Sequence, residues 1–311
     1  METAFRWCGR RIWEALDSDL FFSFRQSPSR VFFSFLLVVM VTMSVGAPIF
    51  SPTNPYDLEA LDLMDSHTPP IWVEGSEGRF LLGADEQGRD IFSAILYGSR
   101  ISIGVGLASV FLAMTIGVSL GLVSGYFGGR MDNIIMRIAE VQLAFPAILL
   151  ALLIDGIFKI VLPEATFANL AIPVLILSIG LTSWVQYART VRGMALVERR
   201  KEYVQAARLA GSSSLRIIFT HILPNVTGPV LVIATINLAV AIVTEATLSF
   251  LGVGTPLTEP SLGALVRAGQ DYLFSGQWWQ VIFPGMALVL IVLSVNLLGD
   301  WLRDYFNPKL R

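Results

Sequence analysis

Apolar residues fall into long runs separated by short polar stretches, and run length carries the first inference. A helix rising 1.5 Å per residue needs about 20 apolar residues to cross ~30 Å of hydrocarbon. Six runs reach that length, at residues 31–50, 101–123, 138–158, 168–188, 228–252 and 281–299, with polar interruptions in the fourth and sixth. The pattern predicts an all-α membrane protein with six transmembrane helices. The first run is full-length and follows thirty residues, so it reads as a retained span, not a cleaved signal peptide. Pro146, Pro173 and Pro284 lie within or at the edges of runs, where proline can kink a helix, as a hinge or as static packing.

The basic residues orient the spans. With the amino terminus inside, the segments before span one, between spans two and three, between spans four and five, and after span six hold 17 of the 22 Lys and Arg. Positive charge concentrates on the cytoplasmic side, so both termini are assigned to the cytoplasm. Two connections are long. The outer one, 51–98, is acidic and rich in Pro and Gly; the inner one, 189–225, is basic and reads as helical. The chain reads as one membrane domain over 31–311 with a single extracytoplasmic insert at 51–98. Residues 1–30 form a cytoplasmic amino-terminal segment. Phe5, Trp7, Ile12, Trp13 and Phe21 lie there among basic residues and suit a helix on the membrane surface, a disordered tail being the alternative.

Composition agrees: 54% of the 311 residues are hydrophobic and 15% charged, with mean hydropathy +0.65. A soluble domain carries roughly 25% charged residues. With 24 Asp and Glu against 22 basic residues there is no net field to attract nucleic acid. Cys8 is the only cysteine and His67 and His221 the only histidines, which excludes an intrachain disulfide and leaves no zinc cluster. None of the three lysines, Lys159, Lys201 and Lys309, follows glycine, so the chain has no phosphate-binding P-loop. No catalytic constellation is visible, and the chain is not expected to be an enzyme.

The inner connection is the most informative segment. Gln205-Ala206-Ala207 combines a polar residue with small helix formers that allow close approach to another surface. Gly211 suits a left-handed helix end, and Ser212 to Ser214 can cap a following helix. Leu223-Pro224 ends the segment at the mouth of the fifth span. The expected product is a short helix, a sharp turn and a second helix at the cytoplasmic face. Arg199, Arg200 and Lys201 read first as topology charges.

This spacing resembles the EAA loop of ABC importer permeases: EAA, three residues, Gly, nine residues, Ile, one residue, Leu-Pro. Gln205 stands for the usual Glu and His221 for the usual Ile. Further segments agree in order. Leu82-Gly83-Ala84-Asp85-Glu86-Gln87-Gly88-Arg89-Asp90 with Tyr97-Gly98-Ser99-Arg100 resembles the segment marking the second, C-type permease of dipeptide and oligopeptide importers, with Ala84 for Thr and Ala94 for Arg. Gly125-Tyr126-Phe127-Gly128-Gly129, Leu248-Ser249-Phe250-Leu251-Gly252-Val253-Gly254 and Asn307-Pro308-Lys309 resemble other family stretches, with Asn307 for Asp.

The resemblance implies a type I ABC importer permease fold with a cytoplasmic coupling helix between helices 4 and 5. ATPase subunits would dock through Gln205, Ala206, Ala207 and Gly211, with Leu223 and Pro224 at the entry to helix 5. It implies a homologous B-type permease, two cytoplasmic ATPase subunits carrying ATP and Mg, a periplasmic binding protein, and a location in the bacterial inner membrane. No cofactor is expected in this chain itself. The same architecture is similar to transporters of dipeptides, longer peptides, glutathione, nickel chelates and peptide-like antibiotics.

Other residues carry alternatives. Gly117, Gly121 and Gly125 form a repeated GxxxG that suits packing within this chain or against a second permease. Glu140 and Glu245 are taken as the only carboxylates in the membrane. Glu140 is expected to pair with Arg137, and Glu245 either lines the pathway or makes a structural hydrogen bond. Trp278 and Trp279 read as interface anchors and His67 as a solvated loop residue. A self-sufficient secondary transporter or channel would need more ion-coupling groups than these. A membrane enzyme would need polar groups clustered at one face, whereas the two histidines fall on opposite sides.

Overall fold

A computed structural model describes residues 27–57, 61–76, 78–256 and 259–306; the amino-terminal stretch and Asn307-Pro308-Lys309 lie outside the described residues. The helices are α1 (Pro28–Val45), α2 (Ala47–Phe50), α3 (Ile91–Phe127), α4 (Gly129–Leu143), α5 (Ala147–Val161), α6 (Glu164–Glu198), α7 (Glu202–Leu209), α8 (Ser214–Ile217), α9 (Leu223–Phe250), α10 (Leu262–Gln270) and α11 (Trp279–Phe306). A π-helical turn, Ile218–Ile222, joins α8 to α9. Among the described residues the only β contact is an isolated bridge between Ala84 and Asp90.

Five helices are long and apolar enough to span a membrane, and a sixth crossing results if α4 and α5, bent by 95°, count as one. The third expected span, 138–158, is therefore broken, not straight. The break falls at Ala144 to Pro146, where proline lacks an N–H and pushes the preceding residue out of helical conformation. Pro173 and Pro284 sit inside continuous helices.

Helix ends also differ from the apolar runs. α3 begins at Ile91, inside the expected 51–98 insert, and α6 continues to Glu198, inside the expected 189–225 connection. At 37 residues α3 is ~55 Å long, well beyond the hydrocarbon thickness. The apolar run reports only the part of a helix that lipid would cover. Capping chemistry sets the rest: Asp90 accepts from Ser93 N at 2.9 Å to start α3, and Gly128 at φ +67° ends it.

The pair α3 and α6 forms the centre. Their glycine contacts show that they run parallel: Gly117 meets Trp184 and Tyr187, Gly121 meets Ala188 and Val191, and Gly125 meets Arg192 and Ala195. Parallel neighbours require α4 and α5 together to return the chain between them. α9 lies across both in the opposite sense, α11 packs on α9 and α10, and α1 packs on α11 and α3. One apolar cluster, with Leu122, Val191, Val204, Ile217 and Val226, closes the α7 end. Another, with Ile91, Ile95, Leu262, Trp279 and Ile291, closes the α10 end. Outside these clusters Phe35, Phe111, Leu153, Val240 and Val289 point outward, as a lipid-facing surface requires.

Candidate functional site

The α7 end holds the residues singled out in the inner connection. α7 is fixed from below and open above. Val204 is fully buried in the core cluster, while Gln205, Ala206 and Gly211 are exposed, Ala207 is partly covered, and Leu209 is 89% exposed. Gly211 has φ +80°, a conformation that costs glycine little, and Ser213 caps α8 by accepting from Arg216 N. Leu223 packs on the core and Pro224 sits in the first turn of α9. The ring of Pro224 cannot accommodate a normal helical bond one turn back, and the π-turn Ile218–Ile222 lies at that point. Asn225 Nδ2 donates to the His221 carbonyl there at 2.7 Å.

A polar chain absent from the sequence reading pins this elbow. Glu198 at the end of α6 accepts from Lys201 Nζ at 2.6 Å and from the Tyr203 hydroxyl. Asn225 Nδ2, at the start of α9, reaches Tyr203 Oη at 3.1 Å. Burial and the Glu198 carboxylate push the Tyr203 hydroxyl up to about 12, so it stays protonated as a donor. The chain thus ties α7 to the long helices on both sides. Its sequence signal was slight, since Glu198 and Tyr203 look like ordinary polar residues in a basic loop. Like Lys201, Arg199 among the presumed topology charges has local partners, and so does the neighbouring Arg208. Arg199 Nη1 donates to the carbonyls of Gly125 and Tyr126, at 3.0 and 3.1 Å, covering the end of α3. Arg208 lies over the Tyr126 ring at 5.5 Å. A cleft of about 640 Å³ lined by Arg199, Arg200, Gln205, Arg208 and Leu209 opens beside α7.

Nearby, Asp132 of α4 forms a bidentate pair with Arg192 of α6, at 2.5 and 2.7 Å, and accepts from Ser124 of α3. Arg137 and Glu140 form an exposed ion pair at 3.2 Å. The GxxxG glycines make their close contacts with α6 of this same chain.

At the α10 end Glu245 is fully buried where α9 meets α3 and α10. Ser249 Oγ donates to its Oε1 at 2.8 Å, and the hydroxyls of Ser261 and Ser102 are its other polar neighbours. Its Oε2 is buried without a hydrogen-bond partner, and Glu245 lines none of the cavities described here. The α10 end is further held by the Asp85 turn. Asp85 accepts from Arg89 Nε at 2.6 Å and from the N–H groups of Gln87 and Arg89, both at 2.9 Å. Gly88, at φ +76°, passes so close to the Asp62 carbonyl that a β-carbon would not fit. The motif that marks the outer segment thus closes the turn that launches α3.

Three expectations need correction here. Trp279 is 5% exposed and donates to the Ala84 carbonyl at 3.2 Å, so it is a packing residue, because a buried indole N–H must find an acceptor. His67 is packed against Tyr272, with ring centroids 4.5 Å apart, and lies 2.8 Å from Gln280 Nε2. The membrane carboxylates also include Asp155 of α5, which is 2% exposed. It was visible as the sole acidic residue between Pro146 and Phe158. No group of three His, Cys, Asp or Glu residues suited to a metal exists among the described residues.

Comparison with known proteins follows the same lines. Residues 117–311 match the family of binding-protein-dependent transport system inner membrane components. The dipeptide transport system permease protein DppC of Haemophilus influenzae is 36% identical over 293 residues, covering 94% of this chain and 95% of its own. The di/tripeptide transport system permease protein DppC of Pseudomonas aeruginosa is 37% identical, covering 88% and 86%. The glutathione transport system permease protein GsiD of Pectobacterium atrosepticum is 42% identical, covering 76% and 75%. Among solved structures, the inward-facing MetNI methionine ABC transporter shares the fold with TM-score 0.54 at 18% identity, covering 69% of this chain and 96% of the matched one. The α7 elbow, the glycine-packed helix pair, the family match and these relatives agree: the chain belongs to the binding-protein-dependent transport system inner membrane component family, the permeases of ABC importers.

Proposed function

We propose that this chain is one permease subunit of an ATP-driven importer for dipeptides or other short peptides. It forms half of the translocation pathway in the bacterial inner membrane. The α7 end and both termini face the cytoplasm, as the distribution of Lys and Arg supports. Its partners are a homologous B-type permease, two ATPase subunits that carry ATP and Mg, and a periplasmic binding protein. The peptide cargo rests on the named functions of the relatives.

One observation carries the mechanical part: α7 is locked to α6 and α9 from within and exposed on its other side. The Glu198–Tyr203–Asn225 chain and buried Val204 make the elbow stiff. A partner gripping Gln205, Ala206, Leu209 and Gly211 would then move two long helices together when its ATP sites close. Such rigid-body movement is how an interface event becomes a change of access across the membrane.

The test is Leu209→Asp in the assembled importer. Removal of an exposed apolar contact leaves the permease melting temperature unchanged, because Leu209 supports no core. Peptide uptake per ATP hydrolysed is expected to fall at least about tenfold, the loss of one well-buried interface anchor. Unchanged coupling would remove α7 as the docking point. Uptake by the purified chain alone, without ATPase subunits, would instead establish a self-sufficient transporter.

A further inference from the structure

A cavity of about 600 Å³ opens at the α10 end between α5, α6, the turn after α9 and α10. In the orientation proposed above this is the outer side. Its lining is sharply charged: the carboxylates Asp155, Glu86, Glu164 and Asp271 border it together with the cations Lys159 and Arg267. Asp155 differs from the rest. Its side chain is almost wholly buried, yet Oδ1 has no hydrogen-bond partner. Buried polar atoms are almost always satisfied, and an unpartnered buried carboxylate oxygen calls for a donor supplied from elsewhere. Asp155 lies six residues before the end of α5, about 9 Å along the axis, toward the floor of the cavity. Lys159 is one helical turn nearer the mouth, with β-carbons about 5–6 Å apart. Across the cavity the Arg267 guanidinium lies over Gly252, whose φ is +83°. A β-carbon at Gly252 would run into that guanidinium, so the glycine turn after α9 is what lets Arg267 lie there.

We propose that this cavity is a transit site for a small zwitterion, with the buried Asp155 carboxylate receiving the substrate's ammonium group and Lys159 and Arg267 receiving its carboxylate. A dipeptide is the smallest peptide with both charged ends, which stand up to ~7 Å apart when extended. The volume admits one such molecule with water. The ammonium supplies the N–H donor that Asp155 Oδ1 lacks, and the two cations Lys159 and Arg267 hold the other end. The site rests on the peptide-importer reading and adds to it a place in this chain where the cargo is held by its charged ends.

The experiment uses the complete importer in proteoliposomes, with labelled dialanine delivered by its binding protein. Asp155→Asn is expected to lower dialanine uptake at least about tenfold, the usual worth of a charged hydrogen bond. Assembly with the partner permease and ATP hydrolysis stimulated by the loaded binding protein are expected to stay within twofold of wild type. Unchanged uptake would overturn the site. Loss of assembly would overturn the role of Asp155, making it an interface residue; the exposed Lys159→Gln tests the other half and is expected to lower uptake of dialanine while sparing the carboxylate-free dialanine amide. That second pattern supports the cationic half of the site, and equal uptake of both by Lys159→Gln overturns it. No dialanine uptake by the wild-type importer would overturn the peptide reading itself, and the site with it.

Discussion

Single atoms decide several features of this permease. Gly121 allows α3 to approach α6 so closely that a β-carbon would sit 2.7 Å from the Ala188 carbonyl and 2.8 Å from Val191 Cβ. Gly121→Val is therefore expected to destabilise the helix pair by about 1–3 kcal/mol, the usual cost of overpacking. A lowered melting temperature in detergent checks it, and an unchanged one would show that the pair can spread. The repeated spacing of Gly117, Gly121 and Gly125 was legible in the sequence, because close helix contact needs small residues one turn apart. Which helix they meet was not legible, since the spacing is the same for any partner. Trp279 makes the complementary case. Position at the end of an apolar run marked it for the interface, but the Ala84 carbonyl, distant in sequence, captured its indole N–H.

Helical elements show where hydrophobic pattern stops being informative. Runs of apolar residues located the long helices, because lipid-facing backbone must be satisfied internally. They missed the polar extensions of α3 and α6, which caps and neighbouring helices stabilise, and they missed the depth of the α4–α5 bend. The start of α4 is tied to α6 by the Asp132–Arg192 pair, with Ser124 of α3 as a third partner. Asp132→Asn would leave Arg192 partly covered and poorly paired. The expected loss is about 1–2 kcal/mol, since the pair is only partly exposed to water. Faster proteolysis in the 128–146 segment, with the rest of the chain protected, would report it, and unaltered cleavage would show α4 to be held by its apolar face alone.

At the scale of the whole molecule, orientation is the testable quantity. In a Cys8→Ser background, Glu74→Cys should react with an impermeant maleimide in intact spheroplasts. Gln205→Cys should react only after the membrane is opened. The reverse pattern would invert the topology and with it the assignment of docking and entry faces. The sequence by itself determined that this chain has spans for a membrane, which orientation its charges predict, and where a short helix interrupts the inner connection. Each of these depends on local composition or spacing, which a linear reading contains. Tertiary structure alone decided that α3 and α6 run parallel, that Tyr203 and Asn225 brace the elbow, that Glu245 is enclosed beneath α10, and that Asp155 faces a charged cavity. Those outcomes depend on which distant residues meet. A buried polar group takes its meaning from its neighbours, and the fold chooses them.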